Sequence, residues 1–419
     1  MRKGLVKGFL MWGMALLISI PSAFAGEVDL LVQKLVEKGI LTPYEAQILK
    51  DDIRQDVNKQ IAEGKNDALP SWIQSIKLKG DVRLRYQSEQ KEASTVHNRG
   101  RVRYRLGLEA QPNSRFGVGA GLASGSDNDA RSTNETLGDG FAKDGIYLDY
   151  AWGEYKPNQM LSMIGGKYNA SGKGYLWYTT DMMWDSDINQ EGASAHMDLA
   201  NALGGDAFLN AGYWTLSESS SDASDAGMYY SQAGIAYSID AGLEEPLKLK
   251  LAGTFYSKIY DDANSLLNNG KTTQSAANNK YDYNKVYAGS AELVYNWPEE
   301  TSFPIKMVGI FGDYVNNPDP SSENTGWAAG IKFGHKKVSD KKDWQFKYQY
   351  VSLGSVAWID VFPDSDRYSG NTNVKSHEFI LDIGLAKNIS LGLDYYLSDV
   401  LKGTSRAEHV FQADVNFKF

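Results

Sequence analysis

From Ile76 onward, apolar and polar residues alternate in short runs with a period of two. Successive strand side chains point to opposite faces, so each run predicts a β-strand with one apolar and one polar side. The pattern places strands near 76–87, 99–111, 115–124, 144–156, 160–168, 191–199, 206–217, 227–239, 247–259, 284–297, 304–315, 325–336, 343–353, 374–385, 388–398 and 407–419. Val102, Tyr104, Leu106 and Leu108 oppose Arg101, Arg103, Arg105 and Glu109. Trp344, Phe346, Tyr348 and Tyr350 oppose Gln345, Lys347 and Gln349. Phe411, Ala413, Val415, Phe417 and Phe419 oppose Gln412, Asp414, Asn416 and Lys418. The runs near 160, 206 and 304 fit either register.

The links between these strands alternate in length. Short ones such as Pro112-Asn-Ser, Pro157-Asn-Gln and Ala386-Lys-Asn follow every second strand, while the longest lie near 125–143, 169–190, 260–283 and 354–373. An even strand number with short turns on one side and long loops on the other describes a bacterial outer-membrane barrel. In lipid every backbone polar group must be paired, so a sheet crosses only as a closed barrel. The expected fold is therefore an all-β transmembrane antiparallel β-barrel of about sixteen strands over 71–419, wide enough for an aqueous lumen. Phe419 ends the final run on an aromatic, the expected assembly signal read by the barrel assembly machinery.

Ahead of the barrel the period changes. Val28, Leu31, Leu35 and Val36, then Leu49, Ile53, Val57 and Ile61, recur at helical spacing, with Thr42-Pro-Tyr-Glu45 between them as a capping box. Residues 26–70 thus read as a short α-helical periplasmic segment with a linker, either a helical hairpin or coiled-coil stub or a plain amphipathic helix. Residues 1–25 read as a signal peptide: Arg2, Lys3 and Lys7, an apolar run, then Ala23-Phe-Ala25. The expected destination is the cell outer membrane.

Composition narrows the chemistry. With no Cys, disulfides, thiolate metal sites and a Cys nucleophile are excluded. A net charge of -9 argues against a nucleic-acid role. The 41 Gly and 25 Tyr suit tight strands and interfacial aromatic girdles against outer-membrane lipid. No cofactor or metal is expected. Asp185-Ser-Asp187-Ile-Asn189 begins like a calcium loop, but Gln190 stands where that loop needs Gly and His196 where it needs Glu. Ser194, His196 and Asp198 share one strand face, a trivial consequence of alternation, so no catalytic residue is assigned.

Two features point to a channel. Lys77, Lys79, Arg83, Arg85, Arg101, Arg103 and Arg105 fall on one face of adjacent strands. On lipid each would cost roughly 2–4 kcal/mol at midplane, so they are expected to line the lumen as a basic wall. The alternative is pairing with acids from a loop folded inside. The 169–190 loop carries Asp181, Asp185 and Asp187 among Tyr175, Trp177, Tyr178 and Trp184. Folded inward, it would set its acids opposite that wall and constrict the pore; packed over the rim or on a neighbouring subunit, it would not.

The segment Thr180-Asp-Met-Met-Trp184-Asp-Ser-Asp-Ile-Asn-Gln-Glu-Gly192 resembles the Thr-Asp-Leu-Leu-Trp-Asp-Ser-Asp-Ile-Asn-Pro-Glu-Gly stretch of the "putative porin" family, with Gln190 in place of the Pro. Phe362-Pro-Asp-Ser-Asp-Arg, Lys375-Ser-His-Glu378 and the leader Gly39-Ile-Leu-Thr-Pro-Tyr-Glu-Ala are similar to further parts of it. The resemblance implies a passive outer-membrane channel for small hydrophilic solutes or ions, by analogy a homotrimer, with no catalytic residues. The competing expectation is a plugged structural barrel whose helices dock a periplasmic partner.

Overall fold

The computed structural model describes residues 75–218, 225–259, 283–298 and 300–419, together with Lys38, Thr42 and Ala46. The chain divides into two units, 1–74 and 75–419. The expected signal peptide and nearly all of the expected helical segment lie outside the described residues. Within that segment the Ala46 amide donates to the Thr42 carbonyl at 3.0 Å.

In the second unit the strands are β1 (Lys77–Lys91), β2 (His97–Asn113), β3 (Phe116–Ala123), β4 (Asn134–Thr136), β5 (Tyr147–Tyr155), β6 (Leu161–Tyr168), β7 (Gln190–Ala202), β8 (Gly205–Ser217) and β9 (Ala226–Ile239). They continue as β10 (Leu247–Ile259), β11 (Val286–Asn296), β12 (Met307–Asn316), β13 (Thr325–Gly334), β14 (Trp344–Leu353), β15 (Val374–Ala386), β16 (Ile389–Val400) and β17 (Glu408–Lys418). Neighbours pair antiparallel, and β1 pairs with β17, so the sheet closes. The short β4 pairs with β2 at Arg101–Arg103, beyond the end of β3, and continues the β3 lane. The barrel is therefore sixteen strands around, each of them overlapping a run expected from the sequence.

Closure satisfies the ladder of every strand, which hydrocarbon requires. The face that meets lipid is apolar: Leu84, Tyr86, Leu108, Leu122, Leu209, Ile310, Trp327 and Phe411 all stand exposed on it. The three undecided registers resolve as Ile164 and Tyr168 inward on β6, Phe208 and Trp214 inward on β8, and Met307, Phe311 and Val315 inward on β12. Glycines on β2 and β3 make room for inward aromatics. A Cβ at Gly107 or Gly121 would collide with the Tyr150 ring that crosses them. Where β3 meets β5 the register slips by one residue, and the extra residue, Asp149, joins Tyr150 on the inner side.

The main core is inside the barrel. Trp184, Trp214, Trp358, Tyr168, Tyr175, Tyr230, Tyr256 and Met182 pack into one cluster contributed by the inner wall and by two long loops.

Candidate functional site

Alternation on β1 and β2 turns Arg83, Arg85, Arg101, Arg103 and Arg105 to the same inner face. The register sets Arg83 opposite Arg103 and Arg85 opposite Arg101. Like charges directly opposed destabilise a sheet, and each is relieved by a neighbour. Arg85 makes a two-pronged pair with Asp414, both bonds at 2.8 Å, and reaches Asp366 at 3.0 Å. Arg103 and Arg105 share Asp81, at 2.7 and 2.8 Å. Arg83 lies 3.1 Å from the Asn416 oxygen and 3.3 Å from Asp414. Arg101 bonds Ser132 and the Asn134 carbonyl, each at 3.2 Å. Lys79 pairs with Glu109 at 2.8 Å, and Lys77 is exposed near the short-turn end. The basic positions are thus brought together, and carboxylates interleave with them.

The loop 169–189 leaves β6 and folds against inward residues of β5 to β14. Its neck is tied by Gln190, whose side-chain oxygen accepts the Ala170 amide at 2.9 Å. Tyr175 is buried, its hydroxyl on Glu154 at 3.0 Å and its carbonyl receiving the Tyr230 hydroxyl at 2.7 Å. Trp177 exchanges two backbone bonds with the Gln232 side chain on β9, at 2.9 and 2.8 Å. Tyr178 is half-buried beside it. The Thr179 and Thr180 amides donate to Asp313 on β12, at 3.1 and 2.6 Å. Trp184 stacks on Phe362 at 4.7 Å and meets Trp214 and Trp358 edge-on, each at 5.4 Å. Asp187 reaches Arg105 at 3.3 Å and accepts the Thr133 hydroxyl at 3.2 Å.

A second loop, 354–373, meets the first. The Asp185 amide donates to the Phe362 carbonyl at 2.7 Å, and the Ser365 amide to the Asp185 carboxylate at 2.8 Å. Trp358 donates its indole N–H to the Met183 carbonyl at 2.7 Å. Arg367, 2% exposed, lies 2.5 Å from Asp181, 2.8 Å from Glu378 and 3.5 Å from Asp364. Carboxylate atoms of those three acids fall within 4.8 Å of one another. A metal could be imagined there, but the guanidinium already holds the cation position. Burial opposes the Asp181 charge, yet Arg367 overrides it and keeps that carboxyl below its usual range. Burial and then the Asp187 charge push Asp185 well above the usual carboxylate range; burial and then Asp181 do the same to Asp364.

A sequence profile of the family described as "Putative porin" matches residues 44–96, 90–291 and 272–419. The chain belongs to this porin family. Among solved structures the porin is similar to OprB of Pseudomonas putida at high pH, with 10% identity over 82% of this chain and 94% of that one, at a TM-score of 0.54. It is also similar to OmpF of Salmonella typhi in complex with daunomycin, with 10% identity over 82% and 97%, at a TM-score of 0.50. At that identity the likeness is one of fold. No curated protein matches the chain. Family and fold are those of an outer-membrane channel rather than an enzyme.

Two further sequence features now have a place in the porin. His196 bonds Asn210 at 2.6 Å and Asp198 at 3.0 Å, while the Ser194 hydroxyl receives Tyr168 and Tyr230, at 2.6 and 2.8 Å. Serine and histidine thus bond to different partners on this face. In the calcium-like stretch, Asp185 receives backbone amides and Asn189 donates to Asp149 at 2.8 Å.

Arg367, Asp364 and Asp366 were not expected as site residues. Their signal was present: Phe362-Pro-Asp-Ser-Asp-Arg was one of the two motif-like stretches in long loops, and it packs against the other.

Proposed function

We propose that this porin passes small hydrophilic solutes or ions down their gradient through a constriction set by the 169–190 loop. The path runs alongside the Asp187–Arg105 contact, with Arg83 and Arg103 on the same wall and Asp185 buried behind the loop surface. The observation that carries this reading is the Asp187–Arg105 pair, 3.3 Å apart, linking a loop acid to the far wall. A cavity of about 740 Å³ opens beside it, lined by Lys79, Asp81, Arg105, Asp149, Lys173 and Asp187. Facing rows of opposite charge in a water-filled channel give a transverse field that sorts ions by sign.

One observation favours the plugged alternative. The loops bring large aromatics such as Trp184 and Trp358 into the lumen, and these fill rather than line it. Single-channel recording separates the two readings. Ohmic steps whose reversal potential in a salt gradient moves on changing Asp185 and Asp187 to Ala support the constriction. Steps unaffected by those changes place the narrow point elsewhere, and a folded but silent barrel supports the plug with its docking role. Association as a trimer, as the family resemblance suggests, is read from the mass of the detergent complex.

A further inference from the structure

The wall opposite the arginines also carries basic side chains. Inward positions of β10, β13 and β14 hold Lys248, Lys250, Lys332 and Lys347, and Lys336 follows β13. Their surroundings differ from those of the arginines in one respect. Lys332 pairs with Glu292 at 2.5 Å, whereas Lys250 and Lys347 make no ion pair among the described residues. The Lys250 ammonium rests instead over the rings of Trp177 and Phe208, 4.5 and 4.8 Å from their centroids. Lys347 rests over Phe311 at 5.2 Å. An aromatic face positions a cation by attraction to its quadrupole.

Lys248, Lys250, Lys332 and Lys336 line a cavity of about 640 Å³ near the short-turn end, and its acids are Asp206 and Glu292. Four ammonium groups thus face two carboxylates, one of them already committed to Lys332. That volume falls within the roughly 300–1,000 Å³ of small-molecule sites. Lys248 and Lys332 stand three strands apart, about 14 Å between backbones, so cationic groups flank the cavity rather than crowd one point.

From this we infer that the cavity is a binding station for small organic anions bearing carboxylate or phosphate groups, held by Lys248 and Lys250 on one flank and Lys332 and Lys336 on the other. The inference rests on the channel reading for its physiological role, but the site binds whether or not current flows. Because Trp177 belongs to the 169–189 loop and carries Lys250 on its ring, an anion bound here also touches the state of that loop.

The test is titration of the detergent-folded barrel with succinate at low ionic strength, followed by calorimetry. Saturable binding is expected, weakened about tenfold by Lys250→Gln, the loss of one charged hydrogen bond. Lys248→Gln, at a more exposed position, should weaken it as well, and glycerol should give no signal. In bilayers, succinate should block chloride current in the parent and less in either variant. Absence of saturable succinate binding, or binding unchanged in both variants, overturns the station even in a barrel that conducts. Binding in a silent barrel leaves the station standing and removes the channel reading alone.

Discussion

With methionine in place of Arg367, Asp181, Asp364 and Glu378 would face one another inside the barrel with no cation between them. Removing one partner of a buried charge cluster costs roughly 3–5 kcal/mol, because the remaining charges stay desolvated. Arg367→Met should therefore lower the urea midpoint of unfolding, and Arg367→Lys should restore only part of it, since one ammonium cannot reproduce the planar fork. Asp185 makes a different prediction. Its raised pKa means that the folded chain takes up this proton at a higher pH than the unfolded chain. Stability contributed by this group accordingly rises as pH falls through the folded value. The same proton removes a negative charge from the proposed constriction. Cation preference, read from reversal potential, should fall on acidification, starting above the ordinary carboxylate range, and Asp185→Asn should flatten that dependence.

At the scale of elements, the two inward loops behave as one body, because each completes the other's hydrogen bonds and Trp358 lies under the chain at Met183. Trp358→Ala opens a cavity at their joint, and such truncations cost about 3–5 kcal/mol. The barrel should survive this change while the loops loosen. Protease cleavage within 169–189 should become faster, and single-channel noise should rise. The same packing explains which parts of the sequence were readable. Strands whose inner face is mostly polar, such as β2, β14 and β17, show plain alternation, and their registers followed directly. Strands β6, β8 and β12 lie against the inserted loops, so Ile164, Phe208 and Phe311 on the inner face are as apolar as the outer face. Alternation fades there, and with it the register signal. The arginine cluster was visible because it is local to two adjacent strands. Its partners Asp366 and Asp414, and the lysines on the far wall, become neighbours only once the barrel closes, and no local pattern announces that.

For the whole molecule, closure depends on a single seam. Gly80 and Phe419 exchange backbone bonds at 2.9 and 3.0 Å, at one end of the β1–β17 ladder. Deleting Phe419 removes that pair and the terminal aromatic together. Levels of the variant in the outer membrane should fall, and a normal level would count against an assembly role for this residue.

The seam is also a lock of charge. Arg85 and Asp414 are 329 positions apart, yet they face each other across the β1–β17 ladder with both bonds at 2.8 Å. Parting the seam would therefore strand a guanidinium and a carboxylate together, so the two ends of the chain are held by charge as well as by backbone bonds.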